Sequence, residues 1–179
     1  MGFISPQFDF IDQRFTHRRI KTLDVICTEN VQAVLDDPEL VVDDDPDLVN
    51  QIIDPDTGQL QPGVSVVVTD IDPGVSVVPN KVCNIFVVTW QIVDSTGTVL
   101  AGPFTNVVSD EVDCPGAGVG PSQTVVQKHD IQVMVCLIPV DTDDNGEFDT
   151  LYGTIDIDYC LVVANEVILK INAARPFCP

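Results

Sequence analysis

Residues 82–94 read VCNIFVVTWQIVD, and beyond Ser95-Thr96-Gly97 the chain resumes at 98–109 as TVLAGPFTNVVS. Both flanks are rich in β-branched and aromatic side chains, which suit a pleated sheet and lose rotamer freedom in a helix. The short polar segment ending in Gly97 is a hairpin signal. The stretch therefore predicts a pair of adjacent antiparallel strands, with Trp90 as a core anchor.

The same valine-rich texture continues outward. PGVSVV occurs at 62–67 and again at 73–78, an offset that predicts two neighbouring strands around TDIDPG. TVVQKHDIQVMVCLIPV (124–140) supplies one long bent strand or two short ones, and LYGTIDIDYCLVV and EVILKINA close the domain about Ala164-Asn165. Residues 23–36 (LDVICTENVQAVLD) begin as a strand and turn helical, whereas CPGAGVGPS (114–122) is a loop. DDDPDLVNQIID predicts one short helix: Asp45 caps it, Pro46 fits the first position and Asp47 suits the positive end of the dipole. Thirteen prolines and eleven glycines punctuate the chain as turns do between many short strands. About eight to ten strands are expected, in an all-β, two-sheet β-sandwich of jelly-roll type. The 179 residues suit one such domain at 23–179, preceded by an extended N-terminal arm at 1–22.

Charge narrows the function. The formal net charge is -20, so a nucleic-acid partner is not expected, because phosphate binding needs a Lys/Arg surface. Anionic membranes should repel the chain. Bound cations or a basic partner would relieve the self-repulsion. The arm is the exception. It alternates aromatics with polar residues (Phe8, Phe10, Phe15) and holds Arg14, Arg18, Arg19 and Lys21, half of all eight Lys and Arg residues. From there to residue 72 come thirteen acidic residues and no basic one. A cationic, aromatic arm beside an acidic body invites docking of one onto the other. In cis the arm is an ordinary strand; in trans it joins subunits.

Six cysteines, Cys27, Cys83, Cys114, Cys136, Cys160 and Cys178, include no CxxC pair, which argues against zinc ribbons and redox motifs. An even count in a β-rich, glycine- and proline-rich chain favours disulfides, though fifteen full pairings are open. The opposing reading is six buried thiols in a reducing compartment. The N-terminal MGFISPQFDFIDQRF has no apolar core of a secretory signal and carries Pro6 where a myristoylation motif needs Ser or Thr. The longest apolar run, IQVMVCLIPV, includes Gln132 and is too short to span a membrane. The expected location is extracellular or at a cell or spore surface, without a recognisable signal peptide.

Asp141-Thr142-Asp143-Asp144-Asn145-Gly146-Glu147-Phe148-Asp149 matches the first nine positions of an EF-hand-like calcium loop. Alternate side chains of a tightly curled loop converge, so Asp141, Asp143 and Asn145 offer side-chain oxygens, Glu147 its carbonyl and Asp149 a direct or water-bridged ligand. Tyr152 stands where the bidentate Glu belongs, which weakens any site. A plain acidic hairpin with a type I′ turn at Asn145-Gly146 explains the same residues. Nothing else carries chemistry. The chain has two histidines, His17 and His129, and no nucleophile elbow, P-loop or dinucleotide fingerprint. No catalytic residue is assigned, and an enzyme is not expected.

An unsigned, cysteine-bearing β chain with a short N-terminal connector and a cysteine near one end (here RPFCP, with Cys178) resembles the subunits of bacterial endospore appendages and coats. That resemblance implies jelly-roll domains joined through N-terminal connectors and disulfides. The arm departs from it in having no cysteine. The expected function is a non-enzymatic structural subunit that assembles with copies of itself. The alternatives are a phage capsid-decoration or tail protein and a calcium-dependent adhesion or carbohydrate-binding module.

Overall fold

The computed structural model describes the backbone of residues 16–120 and 123–173 and the side chains of 21–120 and 123–168. Among the described residues seven strands and one helix follow in order: β1 (Thr16–Val34), β2 (Glu39–Val42), α1 (Pro46–Ile52), β3 (Ser65–Val78), β4 (Lys81–Val93), β5 (Val99–Asp113), β6 (Thr124–Val140) and β7 (Thr150–Ala173). They form an all-β two-sheet sandwich. One sheet is the antiparallel meander β3-β4-β5. In the other, β7 pairs with β6 and with β1 and β2, all antiparallel.

The predicted hairpin is the centre of the first sheet. Asp94 Oδ1 accepts hydrogen bonds from the Thr96 and Thr98 amides, and Gly97 takes the left-handed backbone (φ 84°) that turns β4 into β5. Alternation then sends Val82, Asn84, Phe86, Val88, Trp90 and Ile92 of β4 inward. Opposite them, β7 buries Leu151, Ile155, Ile157, Tyr159, Leu161 and Val163. Each large apolar side chain so buried contributes about 1.5–3 kcal/mol. The helix forms as its residues predict: Asp45 Oδ1 accepts from Leu48 N at 3.0 Å, Pro46 opens the helix, and Val49 and Ile52 plug the same core.

The strands are fewer and longer than the punctuation suggests. The two PGVSVV copies are not neighbours; apart from the leading residues 62–64, they lie along the single strand β3. An eleven-residue offset is odd and should turn the second copy over. A register shift between Val68 and Asp70 restores the phase, so that Val66, Val75 and Val77 share one face. Residues 23–34 stay extended within β1, because Val31 and Ala33 must face Tyr159 and Ile157 of β7. The bend expected in 124–140 is a bulge between His129 and Gln132, with Asp130 at φ 54°. Ala164-Asn165 makes no turn, and β7 runs through it.

Candidate functional site

Loop 141–149 joins β6 to β7, and Asp149 N closes it on Val140 O at 3.1 Å. Inside it the carboxylates organise the backbone. Asp141 Oδ1 accepts from Asn145 N at 3.2 Å and its Oδ2 from Gly146 N at 2.8 Å. Asp143 accepts from the amide and side chain of Asn145, and Asn145 Oδ1 accepts from Glu147 N at 2.8 Å. Positive φ falls on Asp144 and Gly146, not on the Asn145-Gly146 pair that a type I′ turn needs. The loop is therefore curled by its own side chains.

Asp149 is the buried member, and Thr142 fastens it. The Thr142 hydroxyl donates to Asp149 Oδ2 at 2.7 Å and the Thr142 amide reaches both carboxylate oxygens. The Thr142 hydroxyl first, then Thr150 and the Thr142 amide, hold the Asp149 carboxyl below the usual range. One oxygen each from Asp141, Asp143 and Asp149 lies within 4.8 Å of the others. Oxygens on opposite sides of one calcium ion stand about 5 Å apart, since each bond is roughly 2.4 Å. The three carboxylates can hold a metal ion. Thr142 was not legible as part of the site, because it occupies a spacer position between two aspartates.

The cysteines divide. Cys27 of β1 and the fully buried Cys114, just after β5, form a disulfide that staples the two sheets across 87 residues of chain. A loop of that length is worth about 4–5 kcal/mol on the chain-entropy account. Among the described residues Cys83, Cys136 and Cys160 carry thiols. Cys160 lies between Asn30 and His129 in the register of its sheet, and Cys136 is exposed. Cys178 lies outside the described residues.

Of the arm, Phe8, Phe10, Arg14 and Phe15 also lie outside the described residues. From Thr16 the chain is strand β1, paired in cis with β7: Arg18 sits opposite Ile171, Arg19 opposite Lys170 and Lys21 opposite Ile168. The partner strand β6 reaches only as far as Asn165, so residues 16–22 and 167–173 form a two-stranded ribbon. Lys21 Nζ pairs with Glu166 Oε2 at 2.9 Å, and Leu23, Val25 and Ile168 at the ribbon's root are exposed.

Charge is sorted along β7. Segments 16–22 and 167–173 contain Arg18, Arg19, Lys21 and Lys170, four of the chain's eight Lys and Arg residues, and no acid. At the other end of the same strand lie 35–47 and 141–149, with twelve acidic residues and no base. Those two acidic segments adjoin, with Asp45 N donating to Asp149 O at 2.9 Å. β7 itself spans 24 residues, and at about 3.3 Å per residue Lys21 (opposite Ile168) and Lys170 stand roughly 60–65 Å from its Thr150 end.

Among the described residues, no helix is long and apolar enough to cross a membrane. No protein-family model, curated protein or solved structure matches the chain.

Proposed function

We propose that this chain is a non-enzymatic structural subunit that joins copies of itself head to tail, in a filament, appendage or coat outside the cell or on a cell or spore surface. The observation that carries the reading is the separation of charge along β7, basic ribbon at one end and acidic segments at the other. A two-stranded ribbon is marginal alone in water, so a basic ribbon gains most where an acidic surface covers it. The acidic pole of a second copy offers that surface. Because donor and acceptor lie on opposite ends, the contact is heterologous and propagates instead of closing a dimer. The Cys27–Cys114 bond suits an oxidising location. Calcium is the ion proposed for Asp141, Asp143 and Asp149, with Asn145 and Glu147 as further oxygens, and it would lower the self-repulsion of the acidic pole.

Light scattering at rising protein concentration tests this. The expected result is particle growth at low salt, suppressed as the Debye length falls below about 10 Å near 0.1 M salt. The triple variant Arg18→Glu, Arg19→Glu, Lys21→Glu should fold and stay monomeric. A wild-type chain that remains a monomer at low salt and high concentration contradicts the proposal.

A further inference from the structure

Between the two sheets, away from both poles, lies a group of polar side chains that the assembly reading does not use. Asn84 of β4 is fully buried, and neither its amide oxygen nor its amide nitrogen has a hydrogen-bond partner. Its cross-strand neighbours are Val75 of β3 and Asp110 of β5. Asp110 accepts a hydrogen bond at 2.8 Å from the Tyr159 hydroxyl through one oxygen, while its other oxygen is buried without a partner. The Tyr159 hydroxyl also lies beside Asn84.

Lys128 reaches this group from the opposite sheet. Its ammonium donates to the carbonyl of Gly74, the residue before Val75, and stands 4.8 Å from the centroid of the Phe86 ring. Phe86 is the next inward residue of β4 after Asn84. The Lys128 nitrogen thus lies between the β3 backbone at Gly74, which pairs with Ile85 next to Asn84, and the Phe86 ring. Asp110, on the β5 side of Asn84, is near enough for its charge to act on that nitrogen. Burial pushes the Lys128 amine below its usual range, against the opposing pull of Asp110, which favours the neutral, nucleophilic form.

We propose that Lys128 and Asn84 condense into an intramolecular isopeptide bond that joins β6 to β4, with Asp110 as the proton carrier. The Lys128 ammonium gives a proton to Asp110, and the neutral amine attacks Asn84 Cγ. The Nζ–Cγ bond forms, the Cγ–Nδ2 bond breaks, and the second proton lost by Nζ passes through Asp110 to the departing nitrogen, which leaves as ammonia. Lysine amine plus primary amide give secondary amide plus ammonia, with no oxidant or other reactant. Burial supplies the driving force. A buried amide without hydrogen bonds and a desolvated ammonium are each unfavourable, and one condensation removes both. Tyr159 is a positioning residue, since its hydroxyl orients the Asp110 carboxyl. The proposal does not depend on the assembly reading.

Intact-mass measurement of the reduced full-length chain tests it. The expected mass is short of the sequence mass by one ammonia, and proteolysis should yield a branched peptide joining the Asn84 segment to the Lys128 segment. The full sequence mass, with Lys128 and Asn84 on separate unmodified peptides, overturns the proposal. Lys128→Arg keeps the charge and should restore the full mass. An ammonia loss that survives in this variant, or that maps to Asn145-Gly146, also overturns it. Asp110→Asn should leave Lys128 and Asn84 unjoined in a folded chain, and a bond forming there as fast as in the wild type removes Asp110 from the step.

Discussion

Trp90 sits wholly inside the sandwich with its indole N–H bonded to Asn106 Oδ1 at 2.8 Å, and Asn106 Nδ2 in turn donates to Glu39 Oε2 at 2.7 Å. The chain needs that relay because a buried N–H without a partner loses its water and gains nothing in return. Asn106→Ala should therefore lower unfolding stability by about 1–3 kcal/mol, read from the urea midpoint, while Trp90 fluorescence stays that of a buried indole. Asp149 poses the opposite case, a carboxylate made more acidic by Thr142. A carboxyl held low in the folded state contributes stability that is present above its unfolded pKa and lost as pH falls through the folded value. Denaturation of the wild type and of Asp149→Asn, followed from about pH 7 to about pH 3, should show the wild type losing its advantage across the acid range. Parallel curves for the two proteins would remove Asp149 from the acid response.

The elements show which signals were readable. Helix α1 and the β4–β5 hairpin were legible because their determinants are local: a capping aspartate followed by proline, and a polar turn with Gly97. The continuity of β3 and β7 was not, because it depends on partners. TDIDPG reads as a break by itself, yet β4 pairs with it residue by residue and a bulge absorbs the extra position. Ala164-Asn165 likewise stays extended because β1 and β6 flank it on both sides. In loop 141–149 the spacing of Asp141, Asp143 and Asp149 was legible, but the hold of Thr142 on Asp149 was not, since a spacer residue carries no signal of its own. The calcium reading predicts weak binding, with a dissociation constant of about 0.1–1 mM as in extracellular modules, because the bidentate twelfth ligand is lacking. Calorimetry should show that heat and its loss in Asp141→Ala. No heat from the wild type with calcium would leave the loop a purely structural one.

At the scale of the whole molecule, the formal charge of -20 conceals a polarity that composition alone could not reveal. The arm was legible as basic, but the contribution of Lys170 becomes apparent only once β7 is seen to run back alongside β1. The same pairing carries 35–47 and 141–149 to the far end. Separated charge of this kind sets orientation and register between copies more than it sets raw affinity. Disulfide and sheets supply the rigid block; in the proposed assembly the poles would set the direction of growth.

The most direct measurement is zero-length carbodiimide cross-linking of an equal mixture of isotope-labelled and unlabelled chains, mapped by mass spectrometry. The account predicts mixed-isotope links from Lys21 or Lys170 to carboxylates within 35–47 and 141–149. Links confined to single chains, or mixed links that never join those segments, would contradict it.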